Sequence, residues 1–338
     1  MKYTGGILIG AALLAGGVYF FNSDRANVLP VDDDTPLALA TSFYPLEFVL
    51  ERIVGDLGTV TNIGAGRDPH DFRPSTQDIV TLKRADAVVL QGADFEPWSD
   101  DVQAGLEADG VPVIIATADV ELHKGGHEHE EKESHTEDHT DEHHDDAHEQ
   151  ESHNEHQEDH EDEPEHGAYD PHTWLDPVLF SDMVEHLAAE ITLLDPNNAD
   201  TYMNNAADLQ AKLAILHTQY ENELANCTLD EVITSHDAFG YMGDRYGFEI
   251  HTIAGLSTQD TPSAITLAEL QAEAAEGIGA ILLEENSITA YGETLARETG
   301  LQTLSVNPIA YLIPDGANYL SLMEENLNTF SVALNCNE

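Results

Sequence analysis

The chain has 338 residues, 41% of them hydrophobic, and its 65 acidic and 12 basic side chains leave a formal net charge of −53. That length accommodates two domains of common size, each with a packed core. So few Lys and Arg exclude a phosphate-contacting surface, and with it nucleic acid or anionic lipid as partners, whereas cations are drawn in; a saline habitat would screen the diffuse self-repulsion.

Residues 1–36 open with one Lys and an apolar run from Gly5 to Phe21, MKYTGGILIGAALLAGGVYFFNSD. This is the pattern of a secretory signal, or of an uncleaved anchor, followed by a tether. It places the body of the protein in the periplasm or another extracytoplasmic space, either free or anchored by its N-terminus. From residue 37 strands and helices alternate. LALATS (37–42) reads as a strand and PLEFVLERIVGD (45–56) as a helix with apolar residues at helical spacing. TVTNIG (59–64) is a second strand, and STQDIVTLKRA (75–85) a helix opened by a Ser cap. DAVVLQG (86–92) and VPVIIAT (111–117) are short apolar strands of the kind that parallel sheets bury.

Residues 121–166 carry 20 Asp or Glu and 2 Lys, and twelve histidines lie between His123 and His166. Apart from Leu122 and Ala147 the run lacks aliphatic side chains and has too little apolar surface to offset the entropy of ordering, so it reads as a disordered loop. Beyond it, 177–196 is helical, with Leu187, Ile191 and Leu194 on one face, and 197–225 is a long helix suited to a rigid connector. A second strand–helix alternation follows: strands at 231–236, 248–255, 280–285 and 301–306, helices at 237–247, 262–277, 289–300 and 318–335. The fold class is therefore α/β: two lobes, each with a small, mostly parallel sheet flanked by helices, joined by one long helix, with a cleft between them. The lobes are assigned to residues 37–196 and 226–338, the connector to 197–225. Two cysteines in an exported chain predict one disulfide, Cys227–Cys336, tying the C-terminal helix to the start of a strand.

Six histidines lie outside the loop. His186 and His217 fall within helices and His251 mid-strand, where a satisfied polar role is the ordinary reading. His70 (GAGRDPHDFRPS), His172 (YDPHTWLDP) and His236 (ITSHDAFGY) instead occupy turns at strand or loop ends, where α/β sheets collect ligands. Three imidazoles suffice to hold a borderline-soft divalent ion such as zinc. Asp68, Asp71, Asp170 and Asp237 lie within two residues of one of them, placed to bind a second ring nitrogen and fix the tautomer; Trp174 and Phe239 are placed to wall the pocket off from water.

The blocks GRDPHDFRPSTQDIVTLKRADAVVLQGADFEPW, DPHTWLDP and VITSHDAFGYMGDRYG resemble the signatures of the zinc ABC transporter substrate-binding proteins, in the cluster of metal-binding receptors that also contains the manganese receptors. The resemblance covers residues 37–338, and the His-rich loop is similar to that of the zinc branch. It implies metal clamped in the interlobe cleft by His70 and His172 from the first lobe and His236 from the second. Where many relatives have Asp before a Pro, this chain has Asn307, so the fourth position falls to a water first, or else to Glu285 or a loop histidine. The function implied is capture of Zn2+ as transported ligand and its delivery, by a monomer, to the membrane permease of a zinc ABC importer. Two rivals stand beside it. A zinc-dependent hydrolase would need a general base beside a metal-bound water, and no H-E-x-x-H is present. A metal-storage or adhesion protein would use the His-rich loop as its main binder.

Overall fold

The computed structural model describes residues 35–124, 169–257, 260–275, 277–284 and 289–336. The apolar N-terminus, most of the His-rich loop and Glu285 lie outside these residues. Among the described residues no helix is long and apolar enough to cross a membrane.

The first sheet comprises β1 (Leu37–Thr41), β2 (Gly58–Asn62), β3 (Ala87–Leu90) and β4 (Val113–Ile115), all parallel, in the order β2-β1-β3-β4. The second comprises β5 (Glu231–Thr234), β6 (Glu249–Thr252), β7 (Ile281–Glu284) and β8 (Thr303–Val306), also all parallel, in the order β6-β5-β7-β8. The two orders are the same topology, one strand pair turning back beside another. Each sheet thus has a switch point, between β1 and β3 and between β5 and β7, and ligands gather at the carboxyl ends of strands there.

Helices α1 (Tyr44–Val54), α2 (Thr76–Leu82) and α3 (Ser99–Ala108) belong to the first sheet. Sequence periodicity finds α1 and α2 but not α3, whose SDDVQAGLEA buries only Leu106 and so shows almost no apolar stripe. Ser75 caps α2 through a reciprocal pair with Asp78. Asp176 caps α4 (Pro177–Leu194), whose Leu187, Ile191 and Leu194 are buried as the spacing predicts. α5 (Ala199–Leu224) is the long helix, 26 residues and so roughly 39 Å. It packs along α4 and α1 on one side and α9 (Tyr319–Ala333) on the other. Helices α6 (Gly240–Tyr246), α7 (Ala264–Glu273) and α8 (Thr289–Thr299) complete the second lobe. Cys227 and Cys336 are joined, so the end of α9 is tied to the segment leading into β5.

One hydrophobic core runs through α1, α4, α5, α9 and both sheets. The lobes are further stitched by Trp174 Nε1, which donates to the Pro308 carbonyl at 2.8 Å, and by Tyr319 Oη, which donates to the Trp174 carbonyl at 2.6 Å. Arg245 pairs with the buried Asp176 that caps α4. A joint this tightly bonded favours small shifts over wide hinge opening.

Candidate metal centre

The chain places His70, His172 and His236 together. Their ligating nitrogens all lie within 4.8 Å of one another, and the ring centroids are 5.3–6.0 Å apart. His172 and His236 are 1% and 2% exposed; His70 keeps a partly exposed edge. Each arrives by a different device.

His236 lies two residues past the end of β5, at the second switch point. In parallel register Thr234 pairs with Leu282, so the ends of β5 and β7 bring His236 beside Glu284. Its Nδ1 lies 2.5 Å from Glu284 Oε1. Burial alone would push this imidazole down, but the Glu284 charge and hydrogen bond outweigh it, and the His236 pKa is raised from its ordinary value.

His172 sits in the DPHTWL turn between the loop and α4. Asp170 Oδ1 accepts from the His172 backbone N–H at 2.9 Å and meets ring Nδ1 at 2.8 Å. From the other side, Gln91 at the end of β3 donates through Nε2 to the Pro171 carbonyl (2.7 Å) and to Thr173 Oγ1 (2.9 Å). The turn is thus fixed before and after the histidine. Its remaining nitrogen, Nε2, is buried and has no hydrogen-bond partner. An orphaned buried polar atom is costly, and here it faces two further imidazoles. Burial and the neighbouring His236 push His172 down to about 3, while burial pushes the Asp170 carboxyl up to about 7. The pair shares its proton on the carboxyl side, and a cation at Nε2 would reverse that, favouring an ionised Asp170 with Nδ1–H donated to it.

His70 follows β2 on the Gly-rich turn, and its backbone N–H donates to Asp68 Oδ1 at 3.1 Å. Burial first, then the two facing imidazoles, push it down to about 3. Phe95 lies against it with ring centroids 5.0 Å apart. Phe95 is delivered by Gly92, Ala93 and Asp94, three consecutive residues with φ of 86°, 54° and 57°. Left-handed backbone costs roughly 1–2 kcal/mol at a non-glycine position, and strain of this kind persists where surroundings enforce it. The next residue, buried Glu96, does so: it accepts from Ser42 Oγ at 2.5 Å and from the Gln91 N–H at 2.9 Å, across the first switch point.

Of the carboxylates that lie close in sequence, Asp170 alone among the described contacts takes a ring nitrogen as expected; Asp68 holds the His70 backbone instead. The tautomer-setting partner of His236 is Glu284, which sequence proximity missed. Trp174 does wall the pocket, 5.1 Å from His172. Phe239 does not: it packs against Phe330 in the second-lobe core, and Phe95 does that work instead. Asn307 spends its side chain locally, Oδ1 accepting from the Ile309 N–H at 2.7 Å and Nδ2 donating to the Leu312 carbonyl at 3.4 Å. It thereby holds Ile309 at φ 57°, and is not turned to a metal.

A second group of metal-type donors, Glu231, Glu249 and His251, sits at the opposite end of β5 and β6. There both imidazole nitrogens already meet carboxylates, Glu231 at 3.1 Å and Glu273 at 3.0 Å. The contrast with His172, whose Nε2 is open, separates an ion-paired histidine from one poised for a cation.

Residues 39–333 match the family described as zinc-uptake complex component A, periplasmic. The zinc-binding lipoprotein AdcA of Streptococcus pneumoniae is 33% identical over 300 residues, which is 87% of this chain and 55% of that protein. The chain thus spans about half the length of these curated relatives. The high-affinity zinc uptake system protein ZnuA of Bacillus subtilis is 30% identical over 339 residues, 98% of each chain. Among solved structures, the Zn(II)-bound ZnuA-like domain of S. pneumoniae AdcA superposes with a TM-score of 0.68 at 29% identity, covering 89% of this chain and 99% of that one. The laminin-binding protein Lmb of Streptococcus agalactiae, described as a bifunctional protein with adhesin and metal transporting activity, gives 0.73 at 25% identity over 88% of this chain and 100% of that one.

Proposed function

This chain belongs to the family of periplasmic zinc-uptake complex component A proteins, and on that premise we propose that it captures Zn2+ outside the cytoplasm and hands it to the membrane permease of a zinc ABC importer. His70, His172 and His236 are the protein ligands. A water fills the fourth position of a tetrahedral shell. The observation that carries this reading is the buried, unpartnered Nε2 of His172, facing two imidazoles, with its other nitrogen on Asp170. An all-imidazole set suits zinc better than the harder manganese ion. Zinc is cargo and not a catalyst: the receptor binds and releases it without covalent chemistry.

Phe95 and Trp174 exclude water from the nitrogen cluster, which strengthens each metal–imidazole interaction and slows exchange. Asp170 and Glu284 set the outward-facing nitrogen of their imidazoles. Loading releases protons, chiefly from His236, whose pKa is raised, and from the Asp170–His172 pair.

Titration calorimetry tests the proposal on two proteins, the full chain and one lacking 126–165. Both should bind one tight zinc, the deletion losing only weaker additional ions. Loss of all tight binding with the loop would overturn the three-histidine site in favour of a loop-based store. Zinc-dependent ester turnover above that of free zinc would overturn the receptor role.

A further inference from the structure

The two roots of the His-rich insertion meet one side chain from the other lobe. Lys124 and Tyr169 form an antiparallel bridge, and the Asp170 N–H donates to the His123 carbonyl at 2.9 Å. Tyr241, in the first turn of α6, reaches both strands of this root. Its hydroxyl donates to the Asp170 carbonyl at 2.7 Å and accepts from the His123 N–H at 3.0 Å. The His123 ring stacks on the phenol, centroids 4.2 Å apart, and its Nδ1 lies 3.4 Å from Asp244 on the same helix. Tyr241 is 2% exposed, and burial keeps its phenol protonated far above neutral pH.

The two ends of this connection matter for the metal centre. Asp170 is the residue whose side chain aims His172, and its carboxylate also abuts α6: a Cβ added at Gly240 would lie 3.3 Å from Asp170 Oδ2. α6 follows His236 by only a few residues, with the Met242 N–H bonded to the Phe239 carbonyl and the Ala238 N–H to the His236 carbonyl. The hydroxyl therefore bridges the segment that carries His172 and the segment that carries His236.

We propose that Tyr241 is a positioning residue for zinc capture, a strut that sets the spacing of His172 and His236 across the lobe interface and clamps the insertion roots to it. The proposal rests on the three-histidine reading above. The spacing of ligands from different lobes decides how readily zinc leaves, so a strut between them governs the dissociation rate. It also makes the root of the insertion part of the metal centre's scaffold, through His123 N–H and the Asp170 carbonyl.

Tyr241→Phe keeps the ring and the stacking on His123 and removes only the hydroxyl, leaving one buried carbonyl and one N–H without their partner. Zinc dissociation into excess chelator should accelerate by about ten-fold, the effect expected of one lost buried hydrogen-bond partner. The visible d–d bands of the cobalt(II)-substituted protein should change in position or intensity. Tyr246→Phe, whose hydroxyl contacts His217 at 3.1 Å, is the control and should leave both readouts alone. A Tyr241→Phe protein with parental zinc kinetics and cobalt spectrum, whatever its melting temperature, overturns the strut. Should Tyr241→Phe not fold, Gly240→Ala crowds the same carboxylate from α6 and should alter the cobalt spectrum in its place; an unaltered spectrum there overturns the strut equally. Absence of tight zinc in the parent overturns the site reading itself, and is seen before any variant is compared.

Discussion

Glu284→Gln should weaken zinc binding by ten- to a hundred-fold at pH 8, with a cost that shrinks as pH falls. The substitution is isosteric and leaves an oxygen opposite His236 Nδ1, but it removes a carboxylate that is 2% exposed and bonded to that nitrogen at 2.5 Å. Outer carboxylate partners of metal-bound histidines are worth about that factor, or roughly 1.4–2.7 kcal/mol. The same carboxylate, however, also raises the proton affinity of His236. In the parent, zinc must displace that proton whenever pH lies below the raised pKa, so affinity falls as pH drops through it. In the variant the pKa is lower, proton competition starts at lower pH, and part of the loss is regained in acid. A competition titration against a chromophoric chelator at pH 8 and pH 5.5, with circular dichroism to confirm the fold, reads both quantities. A loss at pH 5.5 equal to or greater than that at pH 8 would refute the argument, as would parental affinity at pH 8.

His172→Ala should abolish tight zinc binding, a loss of at least about a hundred-fold, whereas His251→Ala should leave affinity within about two-fold because its nitrogens already meet Glu231 and Glu273; calorimetry separates the two. In the zinc-free protein His70 binds a proton only near pH 3 when folded but near 6.5 when unfolded, so stability falls with pH across that window at about 1.4 kcal/mol per unit. His172 adds little slope between 3.8 and 6.5, because the proton it refuses is held by Asp170. Urea melts of parent and His70→Ala between pH 6 and pH 4 should therefore show a shallower decline in the variant, and parallel declines would exclude the effect. Replacing both cysteines by serine releases a crosslink spanning 109 residues of chain and should cost about 2–5 kcal/mol, seen as a lowered urea midpoint; an unmoved midpoint would mean the bond is not formed in solution.

Most of the fold was legible because parallel α/β architecture writes itself as short apolar strands between amphipathic helices. β3 and β7 lie at sheet centres, and AVVL and ILLE show it. α3 was not legible because it buries a single leucine and lies against its sheet's edge strand, β4. Pairing order was invisible too. Nothing in the strand sequences says that β5 sits between β6 and β7, since register is decided by which faces the helices cover.

That missing pairing explains why the carboxylate partner of His236 could not be read from the sequence. His70, His172 and His236 were readable, because imidazoles at turns after strands or loops are unusual and each stands in a distinctive block. Glu284 was not, because it sits 48 residues from His236 and meets it only through adjacent strand ends. Glu285, offered as a possible fourth ligand, lies outside the described residues. Side chains alternate along a strand, so which residue of β7 meets His236 is decided by the register. With β5 and β7 paired as Ile233 with Ile281 and Thr234 with Leu282, the position across from His236 is 284. The same logic explains Tyr241 and Phe95, whose roles depend on what another segment brings to them. Ligands that a sequence names by chemistry can be found one at a time; the residues that aim them are found only once the strands are in order.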